Sequence, residues 1–265
     1  MGYLHQTLAT LRRDLRDYAA PPWTEDAADA WLVAMPDDFF VQRQAMIEAL
    51  RIRLLPLRDR FAAGAIERAL DAMATVPRED FLCPVVDDLA YLPGPVDIGQ
   101  NQIMSHPELV AVLAAAADPR GGCVLDVGTG SGYQAAVLSR MGSSVTSIEI
   151  IVPLARLAAW RLQRGGFVNV SVAAGDAAMH NFGCETFDAI VVAAGAAAVP
   201  AELLRALRPG GRLIMPVGPT GDQEHLVLVH KRRDGTLSRS RVRPARFVPL
   251  TGAGARTGIT DAPPR

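Results

Sequence analysis

The apolar residues of this chain recur with two different periods, one before and one after about residue 106. In the first part they return every three or four positions, as in Leu4, Leu8, Leu11 and Leu15, which is the period of an amphipathic helix. In the second part, short apolar runs alternate with helical stretches. This alternation predicts an α/β fold, in which a doubly wound, mostly parallel sheet of seven strands follows an N-terminal helical extension.

The same pattern sets the bounds of the predicted elements. Strands are expected near residues 123–127, 145–149, 168–173, 187–193, 211–217, 225–231 and 241–248, and helices near 61–76, 106–117, 132–141, 153–164 and 200–207. The helical extension would occupy residues 1–60, the main domain 61–250, and a disordered tail 251–265. Residues 77–104 are rich in proline and glycine and are expected to be irregular.

Two further helices are predicted inside the extension. One would begin after Thr24, and the next would be capped by Asp37 or Asp38. The second carries an apolar stripe from Phe39 to Leu54. Such a stripe is more often packed against other helices than used to cover a substrate, and packing is the favoured interpretation.

Composition narrows the class of protein. The chain has 265 residues, 49% of them hydrophobic, and a net charge of −1, which argues against a nucleic-acid-binding protein that neutralises phosphates. Cys83, Cys123 and Cys184 are odd in number and far apart, which suggests reduced thiols in the cytoplasm. No metal-ligand spacing, membrane span or secretory signal is recognisable, so neither a metal nor a membrane is expected to take part.

A glycine-rich turn is the most informative local feature. Residues 124–132 read Val-Leu-Asp-Val-Gly-Thr-Gly-Ser-Gly, and a second apolar run ends at Glu149. A strand, a glycine turn and a helix, followed by a strand that ends in an acid, form a typical site for a nucleotide-like cofactor. Asp126, Glu149 and Asp176 all fall where predicted strands end, which is where ligands bind in such sheets.

Nine stretches match one family in order along the chain. They are Val76-Pro77-Arg78-Glu79-x-Phe81, Ile98-Gly99-Gln100-x-Gln102, Ser105-x-Pro107, Leu125 to Tyr133, Gly175-Asp176, Phe187-Asp188-Ala189-Ile190, Leu207-x-Pro209-Gly210-Gly211-Arg212-Leu213, Met215-Pro216-Val217-Gly218 and Phe247-Val248-Pro249-Leu250. With these stretches the chain resembles protein-L-isoaspartate O-methyltransferase over about residues 62–251. The resemblance implies a Rossmann-like methyltransferase fold with S-adenosyl-L-methionine as methyl donor. The implied substrates are damaged proteins or peptides, in which the free carboxylate of L-isoaspartyl residues is esterified.

The resemblance also implies roles for single residues. The glycine turn would lie under the methionine portion of the donor, Glu149 would bind the ribose, and Ile150 and Asp176 would contact the adenine. The implied cofactor-binding residues are His106, Asp126, Gly128, Thr129, Gly130, Ser131, Gly132, Tyr133, Glu149, Ile150, Asp176 and Ala177. The implied acceptor site comprises Ile103, Ser105, Val248, Pro249 and Leu250, with Ser105 as the active-site serine.

Ser105 has a second interpretation that depends only on local sequence. Ser105-His106-Pro107-Glu108 fits a capping box, in which Ser105 is the N-cap and Glu108 the third helical residue. The two roles, acceptor binding and helix capping, are both open on sequence alone.

Two departures from the family pattern concern the acceptor more than the donor. Ile103 stands where the family usually has threonine, and the loop 90–97 lacks the usual acid. Ala177, at the donor site, stands where the family has glycine. A carboxyl methyltransferase for a peptide natural product or a small acid is therefore an alternative. A non-catalytic interaction protein that keeps the cofactor fold is another.

Overall fold

The computed structural model describes residues 38–219, 224–253 and 258–259. The predicted helices before residue 38 lie outside the described residues. The helices are α1 (Phe39–Arg53), α2 (Ala65–Ala74), α3 (Pro107–Ala117), α4 (Tyr133–Ser139), α5 (Val152–Arg164) and α6 (Ala201–Ala206). The strands are β1 (Val96–Gly99), β2 (Gln102–Met104), β3 (Cys123–Val127), β4 (Ser144–Glu149), β5 (Val170–Ala174), β6 (Phe187–Val192), β7 (Val199–Pro200), β8 (Leu207–Val217), β9 (His225–Lys231), β10 (Leu237–Pro244) and β11 (Gly258–Ile259).

Seven strands form the central sheet in the order β10-β9-β8-β6-β3-β4-β5. Strands β8, β6, β3, β4 and β5 run parallel, whereas β9 is antiparallel to both of its neighbours. The chain moves from β3 outward to β4 and β5, then returns to the other side of β3 to form β6. Ligands bind where strand order reverses in this way. The predicted doubly wound, mostly parallel sheet of seven strands is confirmed.

Two hydrophobic clusters cover the two faces of the sheet. Along β6, Ala189 and Val191 belong to one cluster, while Ile190 and Val192 belong to the other. This alternation is what a strand buried on both faces requires, because successive side chains point to opposite sides. The first cluster also contains the buried faces of α1, α2, α3 and α4.

Helix α1 begins where the sequence predicts a cap. The Asp38 carboxylate accepts a hydrogen bond from the main-chain N–H of Phe40 at 2.7 Å. Its buried residues Met46, Ile47 and Leu50 lie in the same cluster as α2. Within the described residues, none from α1 lines the cavity described below. The predicted packing role of the stripe is therefore confirmed for this helix.

The differences from the predicted bounds have local causes. Residues 61–64 form a turn that ends at Gly64 with φ of 71°, so α2 begins later than predicted. The irregular segment contains a hairpin, β1–β2, whose tight turn places Gln100 and Asn101 at φ of 58° and 56°. Strand β10 ends at Pro244, before the predicted 241–248 is complete, since proline has no N–H to continue the ladder.

The described residues of the tail contact earlier parts of the chain, and the predicted disorder of 251–265 stays a prediction. Residues 251–253 pack beside Asp176, where the Ala253 N–H donates to the carboxylate at 2.7 Å. Farther along, Gly258–Ile259 pairs antiparallel with Val199–Pro200. The sequence shows only a glycine-rich composition there, whereas the partners of these residues lie some 60–80 positions earlier in the chain.

Candidate functional site

A cavity of about 320 Å³ opens at the carboxyl ends of the parallel strands. It is bounded by the residues that follow β3, β4, β5 and β6, together with the hairpin β1–β2 and the segment around Val248. This is the position at which strand order reverses, and the volume lies at the lower end of the range for small-molecule sites. The fold therefore places a cavity where the sequence predicts a ligand site.

The glycine turn lines this cavity with main-chain atoms that carry no side chain. Gly128 and Gly130 have φ of 88° and 54°, a left-handed conformation that glycine adopts without steric cost. Both line the cavity, as do Thr129 and Ser131. A ligand can therefore approach main-chain N–H groups closely here.

Gly132 has a packing role, and its predicted contact with the cofactor stays a prediction. It lies outside the cavity lining, at the start of α4, with φ of 97°. A Cβ at this position would stand 3.4 Å from side-chain atoms of Ala158 and Leu162 on α5. The third glycine of such turns commonly allows a helix to pack closely.

Glu149 is held rigidly at the end of β4. Its side chain is buried, with the residue only 6% exposed, and it lines the cavity. One carboxylate oxygen accepts from the N–H of Gly130 at 2.8 Å and the other from the N–H of Ile151 at 2.9 Å. Each oxygen keeps a further lone pair for ligand hydroxyls. The acid thus fixes the glycine turn and can bind a diol at the same time.

Asp126 does not line the cavity, and its predicted contact with the cofactor stays a prediction. It is fully buried beneath the turn. The Ser147 hydroxyl donates to one of its oxygens at 2.7 Å and lies 2.6 Å from the Thr129 hydroxyl. The other oxygen has no hydrogen-bond partner in the described part of the chain. Burial, with the Glu149 charge adding to it, raises the pKa of Asp126 from 3.8 to about 7.

This raised pKa makes stability depend on pH with a definite sign. The unfolded chain releases the proton at a lower pH than the folded chain does, so wild-type protein loses stability as pH rises from about 4 to 7. We expect that Asp126→Asn, which cannot ionise, gains about 2 kcal/mol relative to wild type between pH 5 and pH 8. Urea unfolding of ligand-free protein at both values measures this. The exposed Asp88→Asn is the control, and a pH-independent difference for Asp126→Asn would contradict the buried acid.

Asp176 and its neighbours close the other end of the cavity. Its carboxylate accepts from the N–H of Ala178 at 2.9 Å and, as noted, from the N–H of Ala253. A Cβ on Gly252 would collide with this carboxylate, so the tail can lie across it only with glycine there. Ala177 and Ile150 also line this end, and Ile150 is 38% exposed. An exposed apolar side chain beside an acid suits the face and edge of a heterocyclic base.

The predicted acceptor residues all line the same cavity. They are Ile103, Ser105, Val248, Pro249 and Leu250. The segment that follows β10 is fixed at this place by Gly195, whose N–H donates to Val248 O at 2.9 Å and whose carbonyl accepts from Leu250 N at 2.7 Å. The predicted donor and acceptor residues are thus brought to one space by segments that are distant in sequence.

The helix cap at α3 is His106, so the predicted capping box is wrong. The N–H of Glu108 donates to Nδ1 of His106 at 3.0 Å. Glu108 does not reach back toward Ser105, because its carboxylate pairs with Arg53 at 2.9 Å and with Arg243. Ser105 therefore has no share in the capping bond.

His106 uses Nδ1 for the helix cap and does not line the cavity. Its predicted contact with the cofactor stays a prediction. Burial lowers its pKa to about 4, so the ring is neutral at pH 7, as a hydrogen-bond acceptor at Nδ1 must be.

Arg78 holds two main-chain segments in place, one at Ala90 and one at Ser105. It is fully buried, and its guanidinium donates to the carbonyls of Ala90 and Ser105, each at 2.7 Å. The guanidinium also lies over the Tyr133 ring, 4.8 Å from its centroid. Burial lowers the pKa of Arg78 to about 10. The sequence contains this arginine in a matching stretch but gives no sign that it is buried.

Tyr133 and Gln134 complete the wall on the side of α4. Tyr133 is buried and lines the cavity as predicted. Gln134 also lines it, although sequence reasoning missed this residue. Its position directly after the glycine turn was the available signal. No group of three or more His, Cys, Asp or Glu residues suited to a metal was found in the described ranges.

Comparison with known proteins identifies the family. A family sequence model for protein-L-isoaspartate(D-aspartate) O-methyltransferase matches residues 56–255. The chain belongs to this family. Protein-L-isoaspartate O-methyltransferase 2 of Polaromonas sp. is 44% identical over 188 residues, which are 70% of this chain and 89% of that protein. The corresponding protein 2 of Syntrophobacter fumaroxidans is 40% identical over 228 residues, covering 85% and 92%.

A solved structure agrees at the level of the fold. It is described as a protein-L-isoaspartate O-methyltransferase from Plasmodium falciparum in complex with S-adenosyl-L-homocysteine. Its TM-score is 0.65 at 22% identity, over 79% of this chain and 98% of that one. The fold of this chain thus agrees with that of a solved structure described as an isoaspartate methyltransferase. Ile103 and Ala177, two of the departures from the family pattern, both line that cavity.

Proposed function

We propose that this protein is an S-adenosyl-L-methionine-dependent O-methyltransferase that esterifies the free carboxylate of L-isoaspartyl residues in damaged proteins and peptides. The observation that carries the proposal is the sharing of one cavity. The glycine turn and Glu149 line the same space as Ser105 and the Val248–Leu250 segment. Family membership supplies the reaction type, and this arrangement supports it with a donor site and an acceptor site in contact.

The residues at the strand ends fit the donor molecule. Glu149 offers carboxylate oxygens for two ribose hydroxyls, Ile150 an apolar surface for adenine, and Asp176 an acceptor for its amino group. Gly128 and Gly130 let the remaining part lie against the main chain. When bound, S-adenosyl-L-methionine supplies a methyl group that is already activated by attachment to a sulfonium sulfur.

The protein's own contribution to the chemistry is positioning. An acceptor carboxylate of ordinary pKa is ionised at pH 7, so no general base is needed to create the nucleophile. Ser105 can donate a hydrogen bond that orients this carboxylate, and Arg78 fixes the Ser105 main chain. Ile103, Val248 and Leu250 exclude water from the same space. Orientation and exclusion of water provide most of the acceleration in such a displacement.

A different carboxylic acceptor is the second candidate. Ile103 favours it, because an apolar side chain stands at the cavity where the family usually has a hydroxyl. The site can then prefer a more apolar acid than a peptide isoaspartate. Both candidates share the donor and the bond that is formed, so only the acceptor distinguishes them.

The deciding experiment compares methyl transfer to three kinds of acceptor. Purified protein and labelled methyl donor are incubated with an isoaspartyl peptide, with the same peptide containing aspartate, and with small carboxylic acids. The proposal expects base-labile methyl ester on the isoaspartyl peptide only. Equal transfer to the aspartyl peptide, or preference for a small acid, would replace it with the second candidate. Binding of S-adenosylhomocysteine without turnover on any acceptor would support a non-catalytic protein.

Ser105→Ala separates acceptor binding from helix stability. Since His106 is the N-cap, we expect melting temperature and affinity for S-adenosylhomocysteine to stay unchanged. Loss of one hydrogen bond to a charged group should lower kcat/KM for the isoaspartyl peptide by about tenfold. The exposed Ser143→Ala serves as the control. Unaltered kcat/KM would remove Ser105 from the acceptor site.

We also propose that the protein works in the cytoplasm, on protein and peptide substrates and without nucleic acid. The three cysteines are free thiols, and Cys83 and Cys184 are exposed, which suits a reducing compartment. In the described ranges no helix has the length and apolar character needed to cross a membrane.

A further inference from the structure

Gln134 is a cavity-lining residue whose side-chain amide is buried. It is the second residue of α4, lines the cavity, and is only 8% exposed. Both polar atoms of its side chain, Nε2 and Oε1, are buried and have no hydrogen-bond partner in the described ranges. Ser139 on the same helix shows the usual arrangement, since its hydroxyl donates to Ala136 O at 2.7 Å. Buried amides are nearly always hydrogen-bonded, so this exception calls for a ligand.

The chemistry of an amide specifies what that ligand must offer. Nε2 has two hydrogens to donate, and Oε1 has lone pairs that accept. A group that satisfies both atoms must carry an acceptor and a donor side by side. An acceptor carboxylate alone would satisfy Nε2 but leave Oε1 unpaired. The amino-acid end of the methyl donor carries a carboxylate and an ammonium on one carbon, which matches both atoms.

The charges around the cavity favour a ligand end with no net charge. The described residues that line it include no arginine, lysine or histidine. Glu149 and Asp176 line it as well, so a carboxylate bound away from the donor's sulfonium would enter without a cationic partner, which is costly in a buried place. A zwitterion brings its own counter-charge and needs only neutral donors and acceptors. Gln134 supplies both, next to the glycine turn where the methionine portion of the donor is expected.

We propose that Gln134 binds the amino-acid end of S-adenosyl-L-methionine, with Nε2 donating to the α-carboxylate and Oε1 accepting from the α-ammonium. This assignment rests on the proposed function and adds a residue to its donor site. It gives the protein a means to distinguish the intact donor from nucleosides that lack the amino acid.

The test uses two ligands that differ only at this end of the molecule. Calorimetry measures binding of S-adenosylhomocysteine and of 5′-methylthioadenosine to wild type and Gln134→Leu, a variant of similar size without polar atoms. We expect Gln134→Leu to bind S-adenosylhomocysteine about tenfold more weakly and methylthioadenosine equally well. The exposed Gln163→Leu on α5 should change neither affinity.

Thermal melting gives a second readout that does not depend on turnover. Gln134→Leu removes a buried unpaired amide, so the ligand-free variant should melt at or above the wild-type temperature, while its shift with S-adenosylhomocysteine shrinks. Equal S-adenosylhomocysteine affinity in both proteins overturns the assignment, as does equal weakening of both ligands. A raised KM for the isoaspartyl peptide with unchanged S-adenosylhomocysteine affinity overturns it in favour of the acceptor. Failure of wild type to bind S-adenosylhomocysteine overturns the proposed function itself.

Discussion

We expect Glu149→Ala to weaken binding of S-adenosylhomocysteine by about a hundredfold, or about 3 kcal/mol. Two charge-assisted hydrogen bonds to the ribose would be lost. The variant would also leave the N–H groups of Gly130 and Ile151 without their carboxylate acceptor. The turn that supports the ligand would then be less well fixed, so binding should suffer more than the two ribose contacts alone suggest.

Calorimetry with S-adenosylhomocysteine measures this effect. Glu67→Ala is a matched control, because Glu67 is an exposed acid on α2 that pairs with Arg51 far from the cavity. Circular dichroism of both variants establishes that they are folded. Folded Glu149→Ala with wild-type affinity would show that the ribose is bound elsewhere, and the donor site would have to be assigned again.

The second large effect is expected at Arg78. In Arg78→Met, the buried Ala90 carbonyl and the partly buried Ser105 carbonyl lose their guanidinium donor. We expect a loss of about 3 kcal/mol in the free energy of unfolding, since removing one partner of a buried polar network leaves the others unsatisfied. Because the Ser105 carbonyl would lose its hydrogen bond from Arg78, the Ser105 hydroxyl would be less well positioned. We therefore expect kcat/KM for the isoaspartyl peptide to fall as well.

Urea unfolding and steady-state kinetics measure the two effects separately. Arg58→Met tests the loss of an exposed arginine in the turn after α1 and should alter neither value. Arg78→Lys should be intermediate, because a single ammonium does not reproduce the planar set of donors of a guanidinium. If Arg78→Met unfolds at the same urea concentration as wild type, the hydrogen bonds from Arg78 to Ala90 and Ser105 do not stabilise the protein.

Much of the site followed from sequence because it depends on local main-chain geometry. The glycine turn after β3 and the acid that ends β4 occupy fixed positions relative to their strands. In a parallel sheet these ends meet at one edge, so the sequence alone predicts that Gly128, Glu149 and Asp176 lie near one another. The structure places all three in the lining of the cavity.

The predicted capping box at α3 was wrong because the side chains there have more than one possible partner. Ser105 and Glu108 have the spacing of a capping box. The Glu108 carboxylate instead pairs with Arg53 and Arg243, which lie 55 and 135 positions away in sequence. His106 takes the cap instead. The sequence contains every one of these residues but not the folded geometry that decides between partners.

The sequence by itself determined the order of strands and helices, the glycine turn and the strand-end acids, because these follow from periodicity and from the conformations that glycine permits. Only the tertiary structure decided which polar side chains are hydrogen-bonded and which residues line the cavity. Asp126 is buried under the turn, Arg78 is buried in the core, and Gln134 lines the cavity with a buried amide that has no partner in the described ranges. The physical reason is that burial and hydrogen bonding depend on neighbours contributed by distant segments, whereas turns and strands depend on neighbours along the chain.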